Sequence, residues 1–500
     1  MTDDHQHIPV GLLGAAGGAG RAGQSAAGTR WASTEPVLAA AAFVLLCVAV
    51  LTVAPVLVGP DADAYRASIV GITDGHYLSL STSAARALAF QLARCPKSAA
   101  ACLTPGPRTG LGIALEQWVR LADGRWISEK NPGYPFLAAP FQALGVIRLV
   151  PLCYGALGSL GLYLGARRWL GRWGGACAVG LFCSSDAALL FAWQDYWPTF
   201  TEASLVAAGT GALLWAVLAD ASARRRTWAG LLGFLAIEAA VAVRYTDLVV
   251  LGCAVVAVLV LGRLRPGSLP RLALGYWLGS TVILVVGLAA FDDLVYGGPL
   301  RTGYKPGEVT FSVGALAGNL RYMPANLIAA MPMLVLGLAG LAAITGRLAR
   351  FRRREGGLAP VLPDTAARRD AAVAAALGAS WFCLWALYAG YAWTARPGIG
   401  TWQSARFYVP AAGAIALLGA WALVRLPRLA DRLRMAGRSC QARPRLAVLA
   451  AAAPAGVIVG MFALGIWTFH GQASAATPAA PRSPHCNIGQ PHCTARPPRR

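Results

Sequence analysis

Apolar residues in this chain come in long unbroken runs, not in alternation. The first, Pro36 to Val58, reads PVLAAAAFVLLCVAVLTVAPVLV. A run of roughly 20 apolar residues matches the thickness of a hydrocarbon core, where every backbone group must be satisfied within the segment, so each such run predicts a helix. Ten more follow. They run from Ile147 to Arg167, from Ala176 to Trp193, on to Arg224, from Trp228 to Arg244, and on to Arg263. The rest are Leu272 to Phe291, Asn326 to Ile344, Ala371 to Trp393, a descent to Arg425, and Leu446 to Trp467. The predicted fold class is all-α, a polytopic membrane protein with about eleven transmembrane helices. Only a few polar residues part the fifth and sixth spans, which predicts a tight turn at Arg244 to Asp247. Phe136 to Leu144 is too short to span and predicts a re-entrant or interfacial turn.

The polar intervals give the organisation. Residues 1–34, rich in Gly and Ala, and 471–500, rich in Pro, predict disordered tails around a membrane domain of residues 35–470. The longest interval, Gly59 to Pro135, is a first extracytoplasmic loop with two helix-like segments, Tyr65 to Val70 and His76 to Leu92. In the second, Leu78, Ala85, Leu88 and Ala89 fall on one face, as in a helix lying on the membrane surface.

Composition excludes a soluble protein: 56% of the 500 residues are hydrophobic and 13% charged. The net charge of +22 would suit a nucleic-acid binder, but its distribution does not. Arginines gather in alternate gaps, at Arg167 to Arg172, Arg224 to Arg226, Arg263 to Arg271, Arg347 to Arg354 and Arg425 to Arg445. That is the positive-inside pattern of a multi-pass plasma-membrane protein with its N-terminus cytoplasmic and its C-terminus extracytoplasmic. The partner it implies is the lipid bilayer, and no nucleic acid. Tryptophans at span ends, among them Trp197 and Trp393, fit interfacial belts.

All long non-repetitive loops fall on the extracytoplasmic side, so chemistry is expected there. Asp61 and Asp63 follow the first span directly. A pair so spaced can face one divalent cation, Mg or Mn, or accept the proton of an attacking hydroxyl; equally, Asp61 can cap a helix starting near Ala64 with Asp63 in its first turn. Asp74 precedes Gly75 and reads first as a turn. Glu129 to Pro135 (EKNPGYP) holds Lys130 near the headgroup plane, where a cation offsets charge developing on a phosphate leaving group. The chain has three lysines, Lys97, Lys130 and Lys305, all in extracytoplasmic gaps where topology has no need of them. Arg244 has a structural ion pair with Asp247 or Glu238 as its default. With Arg301, Tyr304, Lys305, Arg396 and Arg406 it gives a vestibule with an excess of cations. Cys95 and Cys102 share the loop and suit a local disulfide; Cys486 and Cys493 suit a second, or a metal site with His485 and His492. No Walker-type glycine loop supports ATP-driven transport.

Taken in order, these motifs resemble the GT-C superfamily of membrane glycosyltransferases, which includes the protein O-mannosyltransferases and the aminoarabinose transferase of lipid A. The acidic motif after the first helix is matched by Asp61-Ala-Asp63, and a Lys/Tyr-Pro-Pro-Gly type run by Lys130 to Pro135. The passages Gly233 to Thr246, Tyr296 to Tyr304 and Arg406 to Pro410 are also similar to stretches common there. The resemblance implies transfer of a sugar from a polyprenyl-phosphate donor, by inverting direct displacement, to a glycan, lipid or protein acceptor. It places Asp61 and Asp63 in catalysis, or on a metal. Lys130, Arg244, Arg301 and Arg406 would lie on the donor phosphate, and Asp74, Glu129, Tyr134 and Tyr304 on substrate. The alternatives are a transporter or flippase of lipid-linked substrates and a polymerase or ligase of lipid-linked glycans. A transporter needs ionisable groups at mid-membrane, where only Asp186 and Glu238 qualify.

Overall fold

The computed structural model describes residues 34–55, 59–76, 78–93, 109–264, 271–304, 307–354, 365–396, 399–436 and 443–476. Cys95, Cys102, Lys97, Lys305 and the C-terminal tail's His485, Cys486, His492 and Cys493 lie outside the described residues, and with them the disulfide and tail-metal expectations.

All eleven predicted spans fall on helix, and eight of them, or ten if each of two bent helix pairs is one span, are long and apolar enough to cross a membrane. The eight are continuous helices. They are formed by α1 (Thr34–Leu51), α5 (Val150–Leu170), α8 (Thr199–Leu218), α9 (Ala223–Val243), α10 (Leu248–Leu264), α11 (Arg271–Tyr296), α14 (Thr365–Ala389) and α17 (Arg443–Ala476). Two are broken: α6 (Arg172–Cys183) meets α7 (Asp186–Trp193) at 62°, and α12 (Ala315–Ala330) meets α13 (Met333–Arg354) at 105°. The remaining one, in α16 (Ala412–Ala436), is a shorter apolar stretch. Periodicity and hydropathy do not register such bends, because both halves stay apolar. Their cause is local: the Ser185 hydroxyl caps α7 by accepting from the Ala188 N–H at 3.1 Å, and Pro332, lacking an N–H, stands at the second break.

The helices pack through small residues. Gly158, Gly161 and Gly165 of α5 face Ser204, Ala208 and Gly211 of α8 so closely that a Cβ on Gly161 would lie 2.6 Å from the Ala208 backbone. Lipid gives helices no hydrophobic drive to associate, so close backbone approach through small residues carries the contact.

The first long loop folds on itself. After Gly59, at φ 87°, Pro60 starts α2 (Pro60–Thr73); β1 (Ser79–Leu80), α3 (Thr82–Ala93), β2 (Trp118–Arg120) and β3 (Trp126–Ser128) follow, and the three strands form an antiparallel sheet in the order β1-β3-β2. Helix α2 starts at Pro60, so Asp61 lies in its first turn and does not cap it. Ala85, Leu88 and Ala89 of α3 are buried with Leu80, Leu115 and Trp118 in a core of the loop's own. The amphipathic face seen in the sequence therefore meets protein, and the sheet adds to the two helix-like segments that the sequence predicts in this loop. Gly133–Ala143, α4, is the short apolar turn; a Cβ on Gly133 would sit 2.4 Å from the backbone of Ala242, so α4 lies directly on the end of α9. That contact brings the loop's last turn beside Arg244.

Candidate active site

Three backbone devices converge at the loop-bearing end of the bundle. Strand β3 stops one residue short of Glu129, whose N–H donates to the Gln117 carbonyl at 3.0 Å, so sheet pairing delivers Glu129 and Lys130 inward. The 302–304 segment lies on them so tightly that a Cβ on Gly303 would come within 2.4 Å of the Glu129 Cα. Arg244 alone joins α9 to the short 3-10 turn Tyr245–Asp247, the tight turn the sequence predicted.

These devices frame a cavity of about 580 Å³ lined by Asp61, Lys130, Glu129, Arg244, Tyr304 and Arg406 among others. Lys130 Nζ lies 2.8 Å from Asp61 Oδ1 and 3.5 Å from Glu129, and donates to the Tyr304 hydroxyl at 3.1 Å. Arg406 donates to Asp61 Oδ2 at 2.7 Å. Its guanidinium lies among the rings of Trp197, Trp393 and Phe407 at 5.3, 4.8 and 4.7 Å, a cation–π cage. Arg244 is paired with the fully buried Glu202 at 3.2 Å and donates to the Arg406 carbonyl at 3.1 Å.

The electrostatics follow from these distances. Burial pushes the Asp61 carboxyl up, but Lys130 and then Arg406 outweigh it and hold it well below the usual carboxylate range. Burial pushes Lys130 down, but Asp61, then Tyr304 and Glu129, outweigh it and keep the ammonium charged well above the ordinary lysine value. Both groups stay ionised across the neutral range.

Of the residues singled out by the sequence, Asp61, Glu129, Lys130, Arg244, Tyr304 and Arg406 meet at one cavity. Asp63 is buried two residues along α2 and is not among the lining residues; positions i and i+2 of a helix do not share a face. Asp74 ends α2, and Asp74, Arg301 and Arg396 are exposed and off the cavity. Tyr134 is fully buried beneath it, its ring edge-on to Tyr65 at 5.4 Å and its hydroxyl donating to the Asp195 carbonyl at 2.7 Å. Asp61 and Asp63 thus do not face the cavity together, and each Asp61 oxygen is paired with a side-chain cation. Among the described residues no three His, Cys, Asp or Glu side chains are grouped to hold a metal ion.

Two expectations are corrected. Arg244 takes Glu202, not Asp247 or Glu238, as its 3.2 Å partner; Glu238 instead accepts from Ser280 and Thr281 at 2.9 and 2.8 Å. The described lining has no excess of cations, because Glu116 and Glu308 join Asp61 and Glu129 opposite Lys130, Arg244 and Arg406. Sequence reasoning missed Glu116, Gln117, Glu202 and Glu308, and it read Trp197 and Trp393 as belt residues. A signal existed for Glu202: a lone acid in an apolar run needs a cation, and Arg244 ends the next span.

No family model matches the chain, and no curated protein matches it in sequence. Solved structures do resemble it. It is similar to the Archaeoglobus fulgidus oligosaccharyltransferase in the apo form, at 13% identity and a TM-score of 0.48, over 88% of this chain and 56% of that one. It is similar to ArnT from Cupriavidus metallidurans bound to undecaprenyl phosphate, at 17% identity and a TM-score of 0.47, over 89% of this chain and 76% of that one. A third, oligosaccharyltransferase AglB from Archaeoglobus fulgidus with an inhibitory peptide and a dolichol-phosphate, matches at 13% identity and a TM-score of 0.49, over 90% and 56%. The chain spans a little over half the length of the oligosaccharyltransferase it resembles.

The Asp195 carboxylate beside this site offers a test of the packing. Burial pushes it up to about 6, while Arg148 draws it down. The native state therefore keeps this proton to higher pH than the unfolded chain does. Its contribution to stability is complete below the unfolded carboxylate value and is lost as pH rises through about 6. Thermal midpoints in detergent between about pH 4.5 and pH 7.5 should fall less steeply in Asp195→Asn than in the wild type. Identical slopes would place Asp195 in water.

Proposed function

We propose that this chain is a GT-C-type glycosyltransferase that moves a sugar from a polyprenyl-phosphate donor to an acceptor on the extracytoplasmic face, by direct displacement with inversion. The observation that carries this reading is the single cavity in which one carboxylate, Asp61, meets two cations, Lys130 and Arg406, with Arg244 beside them. The motif resemblance to that superfamily points the same way.

In this reading Lys130, Arg406 and Arg244 bind the donor phosphate, where they stabilise charge as it develops on the leaving oxygen. Asp61, rather than Asp63, takes the acceptor hydroxyl proton as the acceptor oxygen bonds to the anomeric carbon. The bond from that carbon to the phosphate oxygen breaks, and its electron pair stays on the departing polyprenyl phosphate. Tyr304 and Glu129 keep Lys130 aimed, and the aromatic cage holds the planar Arg406 guanidinium in place. Transport is the weaker reading: Asp186 accepts from Gln472 at 2.9 Å and Glu238 from two hydroxyls, and neither lines this cavity.

Purified protein in proteoliposomes should transfer labelled sugar from a polyprenyl-phosphate donor. Lys130→Ala and Arg406→Ala should each lower the rate by about a hundredfold or more, the usual effect of removing one preorganised charge from a leaving group. Arg406→Lys should not rescue, because an ammonium lacks the planar face that three rings hold. Donor consumption that persists in both alanine variants would remove these residues from the phosphate.

A further inference from the structure

Both oxygens of one carboxylate are taken by two different cations, at 2.8 Å and 2.7 Å. Each cation also has partners besides that carboxylate. Lys130 is also held by Tyr304 at 3.1 Å and Glu129 at 3.5 Å, and Arg406 by its three rings. Asp61, by contrast, stands in the first turn of a loop helix, its side chain 21% exposed towards the cavity. The cations are fixed and the anion between them is accessible. Without Asp61, Lys130 would keep only the more distant Glu129 and Arg406 would lose its carboxylate, which is unfavourable at so enclosed a site, so a seat built for an anionic ligand calls for a resident counter-charge. A phosphate offers the same two-oxygen acceptor geometry with equal or greater charge, and its charge-assisted hydrogen bonds are of the same strong class.

We propose that Asp61 is the resident anion of the donor-phosphate seat, and that the phosphate of the lipid-linked donor displaces it from Lys130 and Arg406. This rests on the function proposed above and adds an order to it. Exchange of one anion for another leaves both cations paired throughout. The released carboxylate then turns to the acceptor, which makes donor binding the compulsory first step.

The test is binding of undecaprenyl phosphate to full-length protein in detergent, followed by the ligand-dependent rise in thermal midpoint. Asp61→Ala and Asp61→Asn should bind at least tenfold more tightly than the wild type, and Lys130→Ala at least tenfold more weakly. An Asp61 carboxylate that neither occupies nor adjoins the phosphate seat predicts no gain. If Asp61→Ala fails to fold, Asp61→Asn, which keeps the volume and loses the charge, decides. Wild-type binding with no gain in the folded variant overturns the displacement and leaves the glycosyltransferase reading standing; no binding by any form overturns both. A parallel arm with inorganic phosphate should show the same direction of change at much lower affinity. Equal affinity for the two ligands would make free phosphate the occupant and overturn the donor assignment.

Discussion

Asp61→Asn should lower sugar transfer by about 10²–10⁴-fold, the range over which a positioned general base contributes. The substitution keeps the side chain's shape and its place in the first turn of α2, so it isolates charge from packing. Donor affinity should not fall with it, because Lys130 and Arg406 keep their other partners. The loss should therefore appear in kcat and the donor KM should fall, whereas Lys130→Ala should raise the donor KM as well. Stability supplies a second readout. Asp61 is held below its ordinary value of 3.8, so its contribution is present above that pH and is lost as pH falls through the depressed value. Lys130 is held above 10.5, so its contribution is complete below that pH and is lost as pH rises beyond it. The stability difference between wild type and Asp61→Asn should accordingly be flat from about pH 5 to about pH 9. A difference that changes across neutrality would mean that the pair is not fully ionised there.

The membrane spans were legible because the bilayer imposes one requirement, roughly 20 apolar residues with an internally bonded backbone, which leaves a mark on every span. Breaks inside spans left none, since Ser184, Ser185 and Pro332 sit among residues as apolar as any other helix's. The tight turn at Arg244 was legible from the shortage of residues between two runs. The loop's sheet was not, because strands of two and three residues are shorter than any alternation can reveal.

The candidate site divides the same way. Asp61, Lys130 and Arg406 stood out because charge is scarce in this chain and each lies at a span or loop end. What a sequence does not encode is which rare charges face one another: Lys130 and Tyr304 are 174 positions apart, and Asp61 and Arg406 are 345 apart. Asp74 and Arg301 had the same local credentials and stand in solvent. Trp197 and Trp393 satisfy the belt pattern and the cage at once, so composition alone could not separate the two roles.

Gly211→Ala should destabilise the bundle at or beyond the upper end of the ~1–3 kcal/mol typical of an added methyl group in a close-packed interior. A Cβ at this position would lie 2.0 Å from the Gly161 carbonyl oxygen, and backbone cannot swing aside as a side chain can. The α5–α8 pair would have to move apart along a contact that also includes Gly158 against Ser204 and Gly165 against Gly211. Helix α8 carries the consequence to the site, because Thr199 and Glu202 in its first turn hold Arg244 at 3.5 and 3.2 Å. Gly211→Ala should therefore lose both thermal midpoint in detergent and transfer activity. Gly252→Ala and Gly275→Ala are the controls: nothing lies within 4 Å of an added Cβ at either position, and each should be neutral or stabilising by up to about 1 kcal/mol through helix propensity. Equal behaviour of Gly211→Ala and Gly252→Ala would show that α5 and α8 are not held at glycine distance, and the support of Arg244 by α8 would then need another explanation.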